Sequence, residues 1–100
     1  MGESVARIAE YQNHVWTYGF VFAWILGGRP LNFLTLEDEY TRESLAIEVG
    51  RTFQALEVRA VPARVIGERG MPKFIRSDNG PAFIAMEIRL WQKDKGLASI

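Results

Sequence analysis

The sequence predicts a single mixed α/β domain: three antiparallel strands, then a helix, a strand, a second helix and the start of a fifth strand. Three observations point there. Residues Val15 to Leu26 form a nearly uninterrupted aromatic and aliphatic run, shorter apolar segments separated by turn residues follow it, and beyond Ala55 the apolar positions take up helical spacing. A chain of 100 residues with 48% hydrophobic content, no repeat and no Pro/Gly/Ser-rich linker reads as one unit spanning 1–100.

Val15 to Leu26 (VWTYGFVFAWIL) is rich in β formers, as a strand buried on both faces should be. Gly27-Gly28-Arg29-Pro30 is a turn signal, and Leu31 to Leu36 resumes a strand, which makes a hairpin. The polar turn Asp38 to Arg42 leads to Ser44 to Val49, where strict alternation sets Leu45, Ile47 and Val49 on one face. From Ala55 to Arg69, Val58, Val61, Val65 and Ile66 follow a helical period, with Gly70 as C-terminal cap. Pro62 cannot donate to the carbonyl of Val58, so a bent or late-starting helix is expected. Lys73 to Ser77 is a short strand, and Asp78-Asn79-Gly80-Pro81 turns the chain into a helix from Pro81 to Lys95 that Gly96 closes. That helix carries a wide apolar stripe (Phe83, Ile84, Met86, Ile88, Leu90, Trp91) that something must cover, and Leu97 to Ile100 reads as the beginning of a fifth strand.

Composition narrows the function. Twelve basic and twelve acidic residues cancel, so there is no basic footprint of the kind that dominates nonspecific DNA affinity. The absence of cysteine removes disulfides and thiolate chemistry and is compatible with a reducing compartment, hence a cytoplasmic expectation. Charged and amide residues between Met1 and Val15 break any signal-peptide core, and Val15 to Leu26 is too short to span a bilayer, so no membrane association is expected.

Three strings carry a family likeness: Asn13-His14-Val15-Trp16, then Leu34-Thr35 with Asp38-Glu39-Tyr40-Thr41-Arg42-Glu43, then Ile75-Arg76-Ser77-Asp78-Asn79-Gly80-Pro81. In this order and spacing the chain resembles the integrase catalytic core of bacterial insertion-sequence transposases and retroviral-type integrases. The resemblance implies a ribonuclease-H-like fold and metal-dependent polynucleotidyl transfer in DNA integration. In that family three carboxylates hold two divalent ions, Mg²⁺ or Mn²⁺, which activate the nucleophile and stabilise the leaving oxygen. The position matching the first carboxylate, within Trp16-Thr17-Tyr18-Gly19-Phe20, is Gly19. The second matches Asp78. The third belongs to a helix beyond a fifth strand, which the residues up to Ile100 do not reach, so the resemblance implies a truncated core, catalytically inactive alone and without a cofactor of its own.

Two carboxylates admit a second reading each. Asp78 suits a metal ligand or an N-terminal helix cap and turn carboxylate. If the hairpin turn pairs Leu26 with Leu31, Gly19 falls opposite Asp38 on the same face, and Asp38 could supply the absent first ligand; alternatively Asp38 organises its own turn near Thr41 and Arg42. Elsewhere the plainer readings lead. His14, the only histidine, suits a loop or strand edge; Trp16, Trp24 and Trp91 sit in apolar runs and suit core packing; Arg42, Arg51, Lys73 and Arg76 could contact phosphates, but Glu37, Glu39, Glu43 and Glu48 are interleaved with several of them, which suits mutual surface pairing. Apolar surface left bare by absent elements favours a homodimer as the partner arrangement, with DNA a possible partner that net charge does not support.

Overall fold

The computed structural model describes residues 8–25, 27–77 and 81–97. Its elements are β1 (Val15–Ile25), β2 (Arg29–Asp38), β3 (Ser44–Gly50), α1 (Ala55–Arg69), β4 (Phe74–Ser77) and α2 (Ala82–Lys95). The strands form one sheet in the order β3-β2-β1-β4, antiparallel except for the parallel β1–β4 pair. The order of elements is as the sequence predicts; of the expected fifth strand, only Leu97 lies within the described residues, and it is not in a strand.

β2 begins at Arg29, earlier than the hydrophobic pattern suggests, because the hairpin turns tightly. Gly28 N–H bonds the carbonyl of Ile25 at 3.0 Å, with Gly27 and Gly28 at φ of 92° and 75°. Positive φ is cheap only without a Cβ, which is why glycines stand there. Pro30 is tolerated inside β2 because pairing with β3 starts only at Asn32, beyond the position where a missing N–H would break a ladder.

Alternation sends Trp16, Tyr18, Leu34, Leu36 and Ala46 to one face, where both helices cover them with Val58, Val61 and Val65 from α1 and Ile84, Ile88 and Trp91 from α2. The opposite face is uncovered among the described residues. Ile47 and Val49, aligned by the β3 alternation, lie on it at 56% and 55% exposure, while the smaller Ala46 faces the helices. Trp24, expected in the core, is 64% exposed, since the far end of the β1–β2 hairpin projects past both helices. Trp16 and Trp91 are buried as expected.

α1 starts at Ala55 and continues through Pro62 to Arg69, so it is not late-starting. The Val58 carbonyl that Pro62 cannot satisfy accepts instead from the hydroxyl of Tyr18 at 2.7 Å. A side chain on β1 thus repairs the helix ladder, and burial pushes the Tyr18 phenol pKa well above its ordinary 10.0, with the charge of Glu48 adding to the rise. Glu57 Oε1 accepts the Gln54 N–H at 2.8 Å at the start of α1, and Gly70 closes its end. Gly96, in the left-handed region at φ 72°, ends α2 while Leu97 N–H bonds Gln92 O at 2.9 Å. Arg59 Nε and Glu87 Oε1, 2.8 Å apart, clip the two helices together.

Candidate functional site

The parallel register of β1 and β4 brings the site together. Thr17 lies beside Arg76 and Tyr18 beside Ser77, so the middle of β1 and the end of β4 open on one region of the sheet. Asp78, Asn79 and Gly80 follow directly in sequence but lie outside the described residues.

Gly19 pairs with Thr35, not with Asp38. The expected register is off by three positions, because the tighter glycine turn pairs Ile25 with Arg29. An odd slip reverses the face. Asp38 stands opposite Trp16 on the helix-covered side and is 1% exposed, whereas Gly19 and Thr35 share the other side. A Cβ built at Gly19 would sit 2.6 Å from Thr35 Oγ1, so the hydroxyl fills the space where a side chain would begin.

Asp38 is fully committed to its own loops. Oδ2 accepts from Asn13 N–H at 2.8 Å, and Oδ1 accepts from Tyr40 N–H at 2.9 Å and Thr41 N–H at 3.2 Å. It therefore joins the segment leading into β1 to the β2–β3 turn, where Arg42 at φ 65° returns its N–H to Asp38 O at 2.8 Å. The turn-organising reading describes Asp38; the pairing that would have made it a neighbour of Gly19 does not form.

On the Gly19 side, Thr17, Glu37, Glu39, Arg42, Arg76 and Ser77 line a pocket of about 430 Å³. Arg76 grips Glu39 through both ends of its guanidinium, with Nε 2.7 Å from Oε2, and Thr17 donates its hydroxyl to the same Glu39 oxygen. The Arg76 hydrogen bonds hold the Glu39 carboxyl below its ordinary range, overriding the opposing effect of partial burial, with the Thr17 bond assisting. Glu37 pairs with Arg42 at 3.5 Å. These carboxylates face arginines and are not arranged as an open ligand set for a hard cation. Among the described residues, no group of three or more His, Cys, Asp and Glu side chains is placed to hold a metal. Two divalent ions do not fit the donors that the described residues present here.

His14 is buried against Tyr11 and Phe74, with Nδ1 accepting the Glu10 N–H at 2.9 Å, so it anchors the segment before β1. The surface pairing of acids and bases holds for Arg42–Glu37 and Arg76–Glu39, joined by Arg69–Glu43 and Arg64–Glu48, whereas Arg51 and Lys73 form no such pair among the described residues. Sequence reasoning missed Thr35 as the neighbour of Gly19 and the Thr17–Glu39–Arg76 cluster. The only available signal was the pair of consecutive glycines, which is compatible with a tighter turn.

Comparison with known proteins decides the family: residues 9–99 match the integrase core domain. The chain belongs to that family. It is 32% identical over 88 residues to the insertion element IS476 uncharacterized 39.2 kDa protein of Xanthomonas euvesicatoria. It is 33% identical over 85 residues to the insertion element IS407 uncharacterized 31.7 kDa protein of Burkholderia multivorans. These alignments take in 88% and 85% of this chain but only 25% and 31% of the relatives. The HTLV-2 integrase catalytic core domain, solved as a dimeric form in complex with magnesium, superimposes with a TM-score of 0.66 at 18% identity, covering 88% of this chain and 59% of that one. This integrase core thus has the mixed α/β ribonuclease-H-like fold, and the curated relatives it matches are proteins of insertion elements.

Proposed function

We propose that this chain is an integrase-core module of a DNA-transposition system that does not itself carry out polynucleotidyl transfer. The observation that carries the reading is Gly19, where the family likeness calls for the first metal-binding carboxylate. Hard divalent ions need anionic oxygen donors, and two of them need several. Glycine provides none, the Thr35 hydroxyl occupies the space where a side chain would begin, and Asp38 points through the other face with its oxygens already taken. Asp78 is the remaining carboxylate that the likeness assigns, and one carboxylate makes a weak site. Residues 1–100 act in this proposal as one unit, in the cytoplasm. No described helix is long and apolar enough to cross a membrane.

Self-association accompanies this reading, supported by bulky apolar side chains left in solvent, among them Phe22 at 54% and Trp24 at 64% exposure. DNA contact through the Arg42 and Arg76 side of the sheet is a weaker reading, because both guanidinium groups are paired with carboxylates and the formal net charge is zero.

Manganese titration followed by electron paramagnetic resonance tests the proposal. The chain should leave Mn²⁺ free at concentrations that saturate a two-ion site, and Gly19→Asp combined with Thr35→Ala, which clears the space beside the new carboxylate, should bind measurably more tightly. Tight binding by the unaltered chain would sink the reading.

A further inference from the structure

We propose that the outer edge of β1 from Gly19 to Ile25 is where two copies of this chain join, as antiparallel strands across a two-fold axis with Phe22 opposite Phe22. The inference rests on the self-association reading above and assigns it a surface. β2 covers one side of β1 as far as Ile25, but β4 covers the other side only from Val15 to Tyr18. Among the described residues nothing pairs with the outer side of β1 beyond that point, which leaves a free edge about 24 Å long at roughly 3.4 Å per residue.

Strand edges that must stay single are guarded by charge, proline or a bulge. The other long edge, β3, is guarded by Glu48, with Glu43 and Arg51 at its ends. The β1 edge, Gly-Phe-Val-Phe-Ala-Trp-Ile, has no charge and no proline. Phe22 and Trp24 stand on one face in an edge-to-face pair at 5.2 Å, and Val21 at 51% and Ile25 at 42% exposure stand on the other. Two copies together hold on the order of 800 Å² of exposed apolar side chain here, taking roughly 150 to 250 Å² for each whole aromatic residue. Edge pairing buries the strand backbone and the flanks of these side chains, a part of that area and less than the roughly 1,000 Å² at which specific interfaces begin, so the backbone ladder carries the contact.

The register is self-complementary. Setting Phe22 on its own copy puts Phe20 opposite Trp24, Val21 opposite Ala23 and Gly19 opposite Ile25. Directly opposed residues share a face, so the aromatic residues of both chains align on the helix-covered side. Each free edge then ends where the other chain enters its glycine turn, and the incoming strand stops short of β4. The competing apolar surfaces fit a second copy less well. The open sheet face around Ile47 and Val49 offers no unpaired backbone, and the groove beside Met86, Leu90 and Leu97 is rimmed by Arg89 and Lys93, so two copies meeting there would bring like charges together.

Sedimentation equilibrium combined with cysteine cross-linking tests this. The chain has no cysteine, so each variant has one reactive site. Opposed residues in an antiparallel pair have Cα atoms about 4.5 to 5.5 Å apart. That lies within the roughly 4.4 to 6.8 Å that a disulfide spans. The chain should sediment as a dimer, Phe22→Cys should oxidise to a covalent dimer at least tenfold faster than Met71→Cys, and Trp24→Lys should shift the chain to monomer with an unchanged circular dichroism spectrum. A dimer that survives Trp24→Lys, with Phe22→Cys no faster than Met71→Cys, would overturn the β1 edge and leave self-association standing. A chain that remains monomeric at high concentration would overturn both.

Discussion

Replacing Tyr18 with phenylalanine isolates one hydrogen bond that spans the fold. The ring of Tyr18 is 1% exposed and its hydroxyl donates at 2.7 Å to Val58 O, the carbonyl that Pro62 leaves without its helical donor. Tyr18→Phe keeps the packing and strands a buried acceptor, a loss of about 1 to 3 kcal/mol. At about 4 to 8 °C per kcal/mol for a domain of this size, a central value near 2 kcal/mol lowers Tm by about 10 °C. Pro62→Ala restores an N–H that can bond Val58 O through the helix, so the same Tyr18→Phe change in that background should cost about 1 kcal/mol less. Urea denaturation of the four proteins in the cycle, followed by circular dichroism, measures the coupling. Equal costs in both backgrounds, or a Tyr18→Phe protein within about 0.5 kcal/mol of the parent, would refute the reasoning. The raised phenol pKa gives the pH sign: its contribution is complete below the unfolded value of 10.0 and is lost as pH rises above it, so alkaline unfolding should begin there and weaken in Tyr18→Phe.

Asp38→Ala removes the acceptor of three backbone N–H groups, and with two of them in a turn that water reaches, a loss of about 3 kcal/mol is expected by thermal denaturation; a change within about 0.5 kcal/mol would mean the carboxylate does not hold the loops. Glu39 has a lowered pKa, so its stabilisation is present above the ordinary 4.5 and is lost as pH falls through the folded value beneath it. Glu39→Gln should therefore cost about 1.5 to 3 kcal/mol near neutral pH and little in strong acid, read from Tm against pH; a loss independent of pH would contradict the Arg76 pairing. Arg59→Met should take the Arg59 partner from the Glu87 carboxylate between the helices and cost about 1 to 2 kcal/mol, recovered in part by Glu87→Met; no coupling in the double mutant would show the pair to be incidental.

Element order was legible because hydrophobic period alone separates the strands from the helices, and Gly70 and Gly96 mark the helix ends by a local conformational need. The hairpin register was not. Gly27-Gly28-Arg29-Pro30 admits turns of several lengths, and the odd slip of three moved Asp38 from the Gly19 side to the core side. The face of β3 was equally hidden, since alternation sets Ile47 and Val49 together without saying which side the helices take. The bond from Tyr18 to Val58 joins residues 40 apart in sequence, so Pro62 could be recognised as a defect but not as a repaired one. The Gly19 vacancy came from family likeness, whereas the contact with Thr35 needed the register.

DNA processing by the chain itself tests the central claim most directly. Incubated with insertion-element end DNA and Mg²⁺ or Mn²⁺, the 100-residue chain should produce neither nicked nor strand-transferred product above the level of an Asp78→Ala control. Metal-dependent cleavage by the unaltered chain that Asp78→Ala abolishes would contradict the account, because Gly19 would then not have removed the activity.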